Sequence, residues 1–382
     1  MRVAVYAPMK PPTHPVPSGD RRLARLFMAA LARAGHTPEL ASRFVSRDGR
    51  GDPARQARLG AVGRRLATRL TTRLKRRPRD ERPGAWLTYH LYHKAPDWLG
   101  PEVCDALAIP YLVAEASSAP KQANGPWAHG HAAASAAIAR ADAVFGLNPN
   151  DRAGVVPLLA DAGRWVPLAP FVDSRPFAAA ARDRSRHRAA WAARHGIAPG
   201  VPWLLTVAMM RAGDKEASYG VLAETVARLT DRAWRLLVAG DGPLQSEAIA
   251  ALNAAAPGRV TWLGRLEEAD LPGLYAAGDI YVWPAVGEAI GMALVEAQAA
   301  GLPVVAGCAG AVPGIVADGK TGLLAPVDDA AALAAGVARL IDDPGARQDM
   351  AAAAIRRAGR ELDMDAAARV LDATLGRVAG HG

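Results

Sequence analysis

The sequence predicts an α/β protein with two Rossmann-like, doubly wound domains that face each other across a cleft. Its 382 residues suffice for two hydrophobic cores, because single domains usually run to about 100–200 residues. Short apolar, strand-like runs alternate with helical stretches, which is typical of parallel sheets covered by helices. This alternation stops at Pro170 and restarts at Trp203, so the pattern occurs twice.

The first half of the chain contains six predicted strands and the helices between them. The strand-like runs lie at 3–8, 37–41, 85–90, 110–116, 143–148 and 165–169, and the helical runs lie near 20–34, 54–77, 126–140 and 149–160. We therefore expect an N-terminal Rossmann-like domain over residues 1–170. Residues 171–200 break the rhythm and are expected to form a linker region with a charged helix inside it.

The second half repeats the alternation and predicts a second Rossmann-like domain over residues 201–360. Its strand-like runs lie at 203–209, 234–240, 260–264, 279–284 and 303–307, and helical segments follow near 328–342 and 345–379. The last helical stretch, 361–382, is a candidate to pack back on the N-terminal domain. Ligands of open α/β sheets bind beyond the carboxyl ends of the strands, so we expect the ligand site in the cleft.

Composition places the protein in a reducing, cytoplasmic compartment. The two cysteines, Cys104 and Cys308, indicate neither a disulfide framework nor a metal site. The N-terminal apolar run is too short for a signal peptide. Prolines interrupt the uncharged run 297–317, which therefore predicts several short buried elements instead of a membrane span.

A formal net charge of +9 would by itself suggest nucleic acid or an anionic surface as a partner. However, the chain has 40 arginines against six lysines and uses alanine heavily, which indicates a GC-rich coding bias. Fourteen basic residues are concentrated between Arg43 and Arg82. We therefore predict no nucleic-acid partner, and attention turns to the basic segment itself.

The basic segment 54–77 is predicted to be an amphipathic helix. Its apolar stripe is formed by leucine and valine side chains at helical spacing: Leu59, Val62, Leu66, Leu70 and Leu74. One interpretation is a helix that lies on anionic lipid and holds the protein at the inner face of the cytoplasmic membrane. The other is a stripe packed on the first domain with a solvated basic back. The lack of a bulky aromatic anchor favours the second.

The stretch GEAIGMALVEAQAAG (287–301) places two carboxylates where a ligand is expected. Glu288 follows the predicted strand 279–284, at the transition from loop to helix. Glu296 has only Met292 and alanines three and four positions away, so we expect it to be buried and to bind something specific. Carboxylates suit the vicinal hydroxyls of a ribose or another sugar. The alternative is a helix with one snorkelling glutamate and one loop glutamate.

The loop MMRAGDKEASYG (209–220) leaves the carboxyl end of the predicted strand 203–209. Arg211 offers a planar fork of donors and Lys215 a point charge, a combination that suits a diphosphate. A solvated charged loop is the alternative, and the position at the strand end favours the functional interpretation. In the same half of the cleft, AGDGP (239–243) contains Gly240 and is interpreted as a strand-end turn, because the GxGxxG spacing is absent.

Three further motifs follow strands of the first domain. In HPVPSGDRRLARLF (14–27), Gly19 is a candidate for close approach to a phosphate, with a simple capped turn as the alternative. His90 and His93 leave one predicted strand, and Glu115 leaves the next. A histidine there can bind a sugar hydroxyl or accept a proton. A polar pocket, a metal site without an apparent third ligand and a structural pair remain the interpretations.

The joint pattern resembles the retaining GT-B glycosyltransferases of glycosyltransferase family 4. The likeness rests on the E-x7-E pair Glu288 and Glu296, on GIVADGKTGLLAPVDD (314–329), and on the upstream MMRAGDK and VAGDGPL. It implies that Arg211 and Lys215 hold the donor diphosphate. It also implies that Glu296 holds the ribose, and that Glu288 holds the donor sugar together with the backbone at Ile290, Gly291 and Met292.

By this resemblance the protein is a metal-independent, bacterial hexosyltransferase that needs no cofactor. It would move a sugar with retention from a nucleotide-sugar donor, most simply a UDP-sugar, to a glycan, glycolipid or metabolite acceptor on the N-terminal domain. The pattern departs from the family at VAEASS, which replaces a strand-end histidine and leaves His90, His93 or Glu115 as acceptor-side candidates. The alternatives are a non-catalytic nucleotide-sugar-binding protein and a sugar-nucleotide epimerase on the same fold.

Overall fold

The computed structural model describes residues 1–16, 18–198 and 200–380, and these form two compact units. Unit 1 combines the first 169 residues with the C-terminal helix, and unit 2 extends from Pro170 to Asp363. Each unit contains one six-stranded sheet in which every strand is parallel to its neighbours. The fold class predicted from the sequence, two doubly wound α/β units, is confirmed.

Unit 1 is built on a sheet with the strand order β2-β1-β3-β4-β5-β6. Its strands are β1 (Arg2–Tyr6), β2 (Thr37–Leu40), β3 (Ala85–Leu91), β4 (Tyr111–Ala116), β5 (Ala143–Gly146) and β6 (Trp165–Pro167). Its helices are α1 (Gly19–Arg33), α2 (Pro53–Lys75), α3 (Gly100–Leu107), α4 (Ala128–Arg140) and α5 (Arg152–Val155). Short 3-10 helices lie at Arg79–Glu81, Pro120–Gln122, Pro149–Asp151, Val156–Leu158 and Ala162–Arg164. The chain reverses its direction of winding between β1 and β3, which is the topological switch point of this sheet.

Unit 2 repeats this arrangement with the strand order β12-β11-β10-β7-β8-β9. Its strands are β7 (Trp203–Val207), β8 (Arg235–Ala239), β9 (Val260–Gly264), β10 (Ile280–Trp283), β11 (Val304–Gly307) and β12 (Gly322–Ala325). Its helices are α6 (Arg175–Arg182), α7 (Arg184–His195), α8 (Asp214–Ala227), α9 (Gln245–Ala255), α10 (Leu271–Ala277), α11 (Met292–Ala299), α12 (Val312–Ile315), α13 (Ala330–Asp342) and α14 (Pro344–Glu361). The switch point lies between β7 and β10, and β12 is a strand that the sequence analysis did not predict.

The C-terminal helix α15 (Met364–Ala379) packs on α1 within unit 1. Arg33 Nε lies 2.6 Å from Asp365 Oδ1 across this contact. A single helix was predicted over 345–379, but Asp363 interrupts it, because its carboxylate accepts hydrogen bonds from the backbone N–H (3.0 Å) and the hydroxyl (2.5 Å) of Ser174. The helix predicted near 149–160 is likewise broken into one-turn pieces, where Pro149 and Pro157 remove backbone donors.

Residues 171–200, which the sequence analysis treats as a linker, form α6 and α7 and pack on α10 of unit 2. Two arginines of α7 explain the difference. Arg184 Nη2 lies 2.6 Å from Asp279 Oδ1, and Arg188 Nη1 lies 2.8 Å from Asp279 Oδ2. The charges that indicated a solvated linker helix therefore fix this helix to the residue before β10.

The buried face of α2 matches the predicted apolar stripe only in part: Leu70 and Leu74 are buried as predicted. Gly60, Gly63 and Ala67 are buried, whereas Val62 is 42% exposed. The cause is Trp98, because a Cβ atom at Gly63 would lie 2.3 Å from its Cβ atom. Small residues on α2 thus admit the indole, and the arginines occupy the outer faces. In the described part of the chain, none of the helices combines the length and apolar character that spanning a bilayer requires.

Candidate active site

The loops after β7 and β10 flank the switch point of unit 2, and they carry the predicted donor-site residues. Arg211 lies in the first loop, Lys215 in the first turn of α8, and Glu288 in the second loop. The Ser218 hydroxyl of α8 accepts a hydrogen bond from the backbone N–H of Val286 at 3.0 Å and so ties the two segments together. The strand order therefore brings together residues that are more than 70 positions apart in the sequence.

Glycines allow the backbone segments at this edge of the sheet to approach one another closely. Gly240 has φ +146°, and a Cβ atom there would lie 1.9 Å from the carbonyl oxygen of Ala208. The backbone N–H of Met210 donates to the carbonyl of Asp241 at 2.8 Å. The turn containing Gly240 therefore supports the loop that carries Arg211. This packing explains the glycine without any ligand.

Lys215 and Glu288 form an ion pair at the centre of the site. The side chains are 19% and 16% exposed, so each is largely shielded but still reachable from solvent. The indole Nε1–H of Trp283 donates to the same carboxylate oxygen, Glu288 Oε2, at 3.1 Å. The ammonium of Lys215 lies 5.0 Å from the centroid of the Trp283 ring, within the range of a cation–π contact. Trp283 thus contacts both members of the pair.

Trp283 is itself held by the elements around it, and sequence analysis missed its role. Its side chain is 2% exposed, and the ring of Tyr219 packs edge-on against it at 5.3 Å between centroids. The Tyr219 hydroxyl donates to the carbonyl of Ala208 at 3.0 Å. A tryptophan at the last position of a strand that enters a polar loop is the signal that could have indicated this position.

Arg211 is exposed, and it forms no hydrogen bond or ion pair with the residues that the structure describes. A guanidinium at the switch point that lacks a protein partner can bind an incoming anion without first breaking a salt bridge. Lys215, by contrast, already uses one of its three N–H donors on Glu288, so an incoming anion competes with that carboxylate. The two residues predicted to bind the diphosphate thus differ: Arg211 has no partner among the described residues, whereas Lys215 is paired with Glu288.

The start of α11 carries the remaining donor-side candidates. Gly291 caps the helix with φ +81°, Ile290 is buried, and Met292 is partly exposed. Glu296 is 2% exposed, as its apolar helical neighbours predicted. Both Glu288 and Glu296 act on the nearby Tyr281, whose pKa is raised well above its usual range, mainly by burial. The two carboxylates therefore belong to one locality, on either side of Gly291.

In unit 1, a histidine and three carboxyl groups meet at the carboxyl edge of the sheet. Nδ1 of His90 lies 2.8 Å from Asp20 Oδ1, and the Tyr89 hydroxyl donates to Glu115 Oε2 at 3.3 Å. Asp151 influences the titration of His90 from the start of α5. The structure thus brings together the predicted His90 and Glu115 and adds Asp20 and Asp151, which the sequence analysis did not select.

The pKa values in this cluster are shifted toward neutrality. Burial raises the pKa of Glu115 to about 7, although the charge of His90 opposes the shift. Burial likewise raises the pKa of Asp151 to about 6, again against His90. For His90, burial disfavours the charged form, but Glu115 and Asp20 outweigh it and raise the pKa. Groups that titrate near neutral pH can donate and accept protons during a reaction.

The backbone is strained at the two central residues of this cluster. His90 has φ +62° and Glu115 has φ +56°, the left-handed region that non-glycine residues rarely adopt. Tyr89 pairs with Ala114, so His90 and Glu115 occupy equivalent positions on adjacent strands. Strain of this kind is held by surrounding structure and concentrates at functional sites. With these φ values, the side chains of His90 and Glu115 depart from the alternation of sides that a regular strand would give them.

His93 and Gly19 contribute no side chain to this cluster, although Gly19 directly precedes Asp20. His93 stands in the turn after β3, where its ring meets the rings of Tyr92 and Trp127 edge-on. Gly19 begins α1 after Ser18, whose hydroxyl accepts a hydrogen bond from the backbone N–H of Arg21 at 3.2 Å. A Cβ atom at Gly19 would meet no atom within 4 Å, so packing does not require glycine there.

Among residues 1–16, 18–198 and 200–380, no group of three or more His, Cys, Asp or Glu side chains is arranged to hold a metal ion. Metal independence nevertheless stays a prediction, because a metal can also be bound through its substrate.

The strand-end loops of unit 2 carry a Lys–Glu pair and those of unit 1 carry a titratable cluster. Comparisons with known proteins show which class of protein this chain resembles. Residues 201–343 match the family described as glycosyl transferases group 1. A D-inositol 3-phosphate glycosyltransferase of Corynebacterium diphtheriae is 33% identical over 164 residues, which are 41% of this chain and 38% of that protein. The chain thus spans well under half the length of this curated relative.

Solved structures extend the likeness to the whole chain. A glycosyltransferase from Rickettsia africae superimposes with a TM-score of 0.76 at 15% identity, over 100% of this chain and 99% of the other. Anabaena Alr3699/HepE, solved in complex with UDP, gives a TM-score of 0.73 at 16% identity, over 99% and 100%. The resemblance to the GT-B glycosyltransferases is confirmed, whereas membership of family 4 in particular stays a prediction.

Proposed function

We propose that the protein is a retaining glycosyltransferase that moves a sugar from a nucleotide-diphosphate sugar to a glycan, glycolipid or small-metabolite acceptor. The observation that carries the proposal is the Lys215–Glu288 pair held by Trp283 beside the unpartnered Arg211. This arrangement lies within the segment that matches the glycosyl transferase family. The Anabaena structure with UDP supports a UDP-sugar as the donor.

In this reaction Arg211 and Lys215 bind the diphosphate, whose negative charge grows as the sugar leaves. Lys215 exchanges Glu288 for the diphosphate, and Glu288, still held by Trp283, then accepts hydrogen bonds from hydroxyls of the donor sugar. Glu296 accepts hydrogen bonds from the ribose. These two cations supply positive charge without a metal ion, which is why we propose a metal-independent reaction.

The His90 cluster provides the acceptor-side chemistry. The Glu115 carboxyl, with a pKa of about 7, is partly ionised near neutral pH and can take up the proton that an acceptor hydroxyl loses, and the charge of His90 favours its ionised form. The cluster can therefore supply the titratable group that is missing at VAEASS, where the family resemblance would place a histidine. Both cysteines are free, which fits the cytoplasmic compartment that we propose for the reaction.

The test is to incubate the purified protein with UDP-sugars, without added metal and with chelator, and to measure release of UDP and transfer of the sugar. We expect Lys215→Ala and Glu288→Gln to lose turnover. Glu247→Gln, an exposed glutamate in the first turn of α9, is the matched control and should keep it. Thermal stabilisation by UDP without turnover would instead indicate a binding protein, and donor conversion without acceptor would indicate an epimerase.

A further inference from the structure

The turn after β3 presents basic and aromatic side chains that the proposed reaction does not use. This turn, together with the loop after β1, flanks the switch point of unit 1, where open α/β sheets bind ligands. The backbone N–H of Ala95 donates to the carbonyl of Tyr92 at 2.9 Å and closes the turn. His93 and Lys94 therefore occupy fixed positions at its tip.

Trp127 connects these residues to the N-terminal end of α4. The ammonium of Lys94 lies 4.7 Å from the centroid of the Trp127 ring, and the ring of His93 lies 5.7 Å from it at an angle of 74°. The indole Nε1–H of Trp127 donates to the carbonyl of Asp48 at 2.9 Å, which fixes the orientation of the ring. The imidazole and the ammonium thus share one aromatic support.

The imidazoles here have hydrogen-bonding capacity that nothing in the described part of the chain uses. Both ring nitrogens of His93 and Nε2 of His131 are shielded from solvent and make no hydrogen bond with described residues. Buried polar atoms are nearly always paired, so such a group calls for a ligand or an ordered water. Unpaired imidazole nitrogens beside an ammonium are suited to donate to an oxyanion.

The charges around His93 have one sign. Burial lowers the pKa of His93, and Lys94, His131 and Lys121 lower it further. The nearest acidic side chain on the adjoining segment, Asp48, is 2% exposed and already accepts hydrogen bonds from Gln56 and from two backbone N–H groups. The acidic cluster lies on the other side of Tyr92, whose ring centroid is 4.9 Å from that of His90. Of these acidic groups, Asp48 is therefore occupied by hydrogen bonds, and the cluster around His90 is separated from His93 by Tyr92.

The use of lysine supports a specific role. In a chain with 40 arginines and six lysines, four lysines lie in or directly after loops at the carboxyl edges of the sheets: Lys10, Lys94, Lys121 and Lys215. Lysine is a compact, strongly hydrated point charge that suits phosphate groups. Three of these four lie in unit 1, so the positive charges of Lys10, Lys94 and Lys121 at its carboxyl edge are not a by-product of the arginine bias.

We propose that unit 1 binds a phosphate group through His93, Lys94 and His131 over Trp127, and that the acceptor substrate carries this phosphate. The second half of the statement rests on the proposed function, whereas the first does not. The acceptor hydroxyl would then lie toward the His90 cluster, on the opposite side of Tyr92. The site would favour phosphate-bearing acceptors over neutral sugars of the same size.

The experiment follows the His93 ring directly in the full chain. Protein labelled in its histidine rings is titrated with inorganic phosphate, and the NMR signal of His93 is identified by its loss in His93→Gln. We expect a saturable shift of this signal and a rise in the pKa of His93 when phosphate binds, because an anion stabilises the imidazolium. No saturable shift in the wild-type protein would overturn the proposal.

Three variants separate this site from other basic surfaces. Lys94→Met keeps the stem over Trp127 but removes the charge, and should abolish the saturable shift. Lys75→Met, the same change at an exposed lysine in the last turn of α2, should retain it. Lys215→Ala should also retain it while losing the response to UDP. Equal shifts in Lys94→Met and the wild type, or loss of the shift in Lys215→Ala, would overturn the site. If the wild-type protein shows the phosphate shift but no response to UDP, that result would count only against the proposed function.

The phosphate can belong to a soluble molecule or to a lipid headgroup, and two further arms distinguish these. Glycerol phosphate that shifts the His93 signal at lower concentration than inorganic phosphate would indicate a soluble acceptor. Co-sedimentation with phosphatidylglycerol vesicles but not phosphatidylcholine vesicles, lost in Lys94→Met, would indicate a lipid. If neither response depends on Lys94, the acceptor part of the proposal is wrong.

Discussion

The two units share a scaffold but equip its switch point differently. In unit 2, the Lys215–Glu288 ion pair contacts the buried indole of Trp283, and turns that contain glycine support the neighbouring loops. In unit 1, the equivalent position carries a titratable cluster, with a carboxyl pKa of about 7 in Glu115 and strained backbone at His90 and Glu115. One edge is thus suited to hold a fixed charge distribution, and the other to exchange protons. The difference fits a division between donor binding and acceptor activation.

Replacing Lys215 by Ala should produce the largest effect, because it removes a cation that we propose to stabilise the departing diphosphate. We expect kcat/KM for the donor to fall about 100-fold or more, the scale seen when one donor to a developing negative charge is lost. Steady-state kinetics with a UDP-sugar measure the change, and Lys320→Ala, at an exposed lysine of the same unit, is the control. Comparable losses in both variants would argue against a local role for Lys215.

Gly240→Ala tests whether the glycine turns of unit 2 support the loops around its switch point. The added Cβ atom would lie 1.9 Å from the carbonyl oxygen of Ala208, and φ +146° is strained for alanine, so we expect a loss of about 3 kcal/mol in the free energy of unfolding. Gly258→Ala is the matched control. Gly258 has φ +70° with no atom within 4 Å, and should lose about 1 kcal/mol. Denaturant unfolding of both variants measures the difference, and equal losses would mean that the close approach at Gly240 is unimportant.

Trp283→Phe separates the indole hydrogen bond from the packing of the ring. We expect roughly a 10- to 100-fold loss in kcat/KM, since a hydrogen bond to a charged group is worth about 1.5–3 kcal/mol. Trp234→Phe is an unusually close control. Trp234 is also 2% exposed, donates its Nε1–H to the carbonyl of Leu229 at 2.7 Å, and lies under the guanidinium of Arg259. Its replacement should leave kinetics unchanged, and similar losses in both variants would assign the effect to stability.

How much of the fold and of the candidate site could be predicted from the sequence depends on how far apart in the sequence the contacting residues lie. The burial of Glu296 follows from its neighbours on one helix, and the strand-end positions of Lys215 and Glu288 follow from local apolar runs. Their pairing does not, because it requires β10 to lie beside β7 with two strands intervening in the sequence. The prediction for α2 was incomplete for a similar reason, since Leu70 and Leu74 of the predicted stripe are buried but Val62 is exposed. Trp98, which determines the buried face of that helix, lies more than 20 residues beyond its end.

Glu115→Gln should give the smallest and most specific effect, visible only as a function of pH. Burial raises the pKa of Glu115 from 4.5 to about 7, so the folded protein favours the protonated carboxyl. This contribution to stability is fully present below pH 4.5 and is lost as the pH rises through 7, because the folded state must then bury a charge.

Glutamine at position 115 keeps the shape of the side chain and cannot ionise. We expect the variant to gain about 2 kcal/mol in stability relative to the wild type between pH 5 and pH 8. Thermal unfolding of both proteins across this range measures the gain, and parallel curves would show that Glu115 is already ionised at neutral pH.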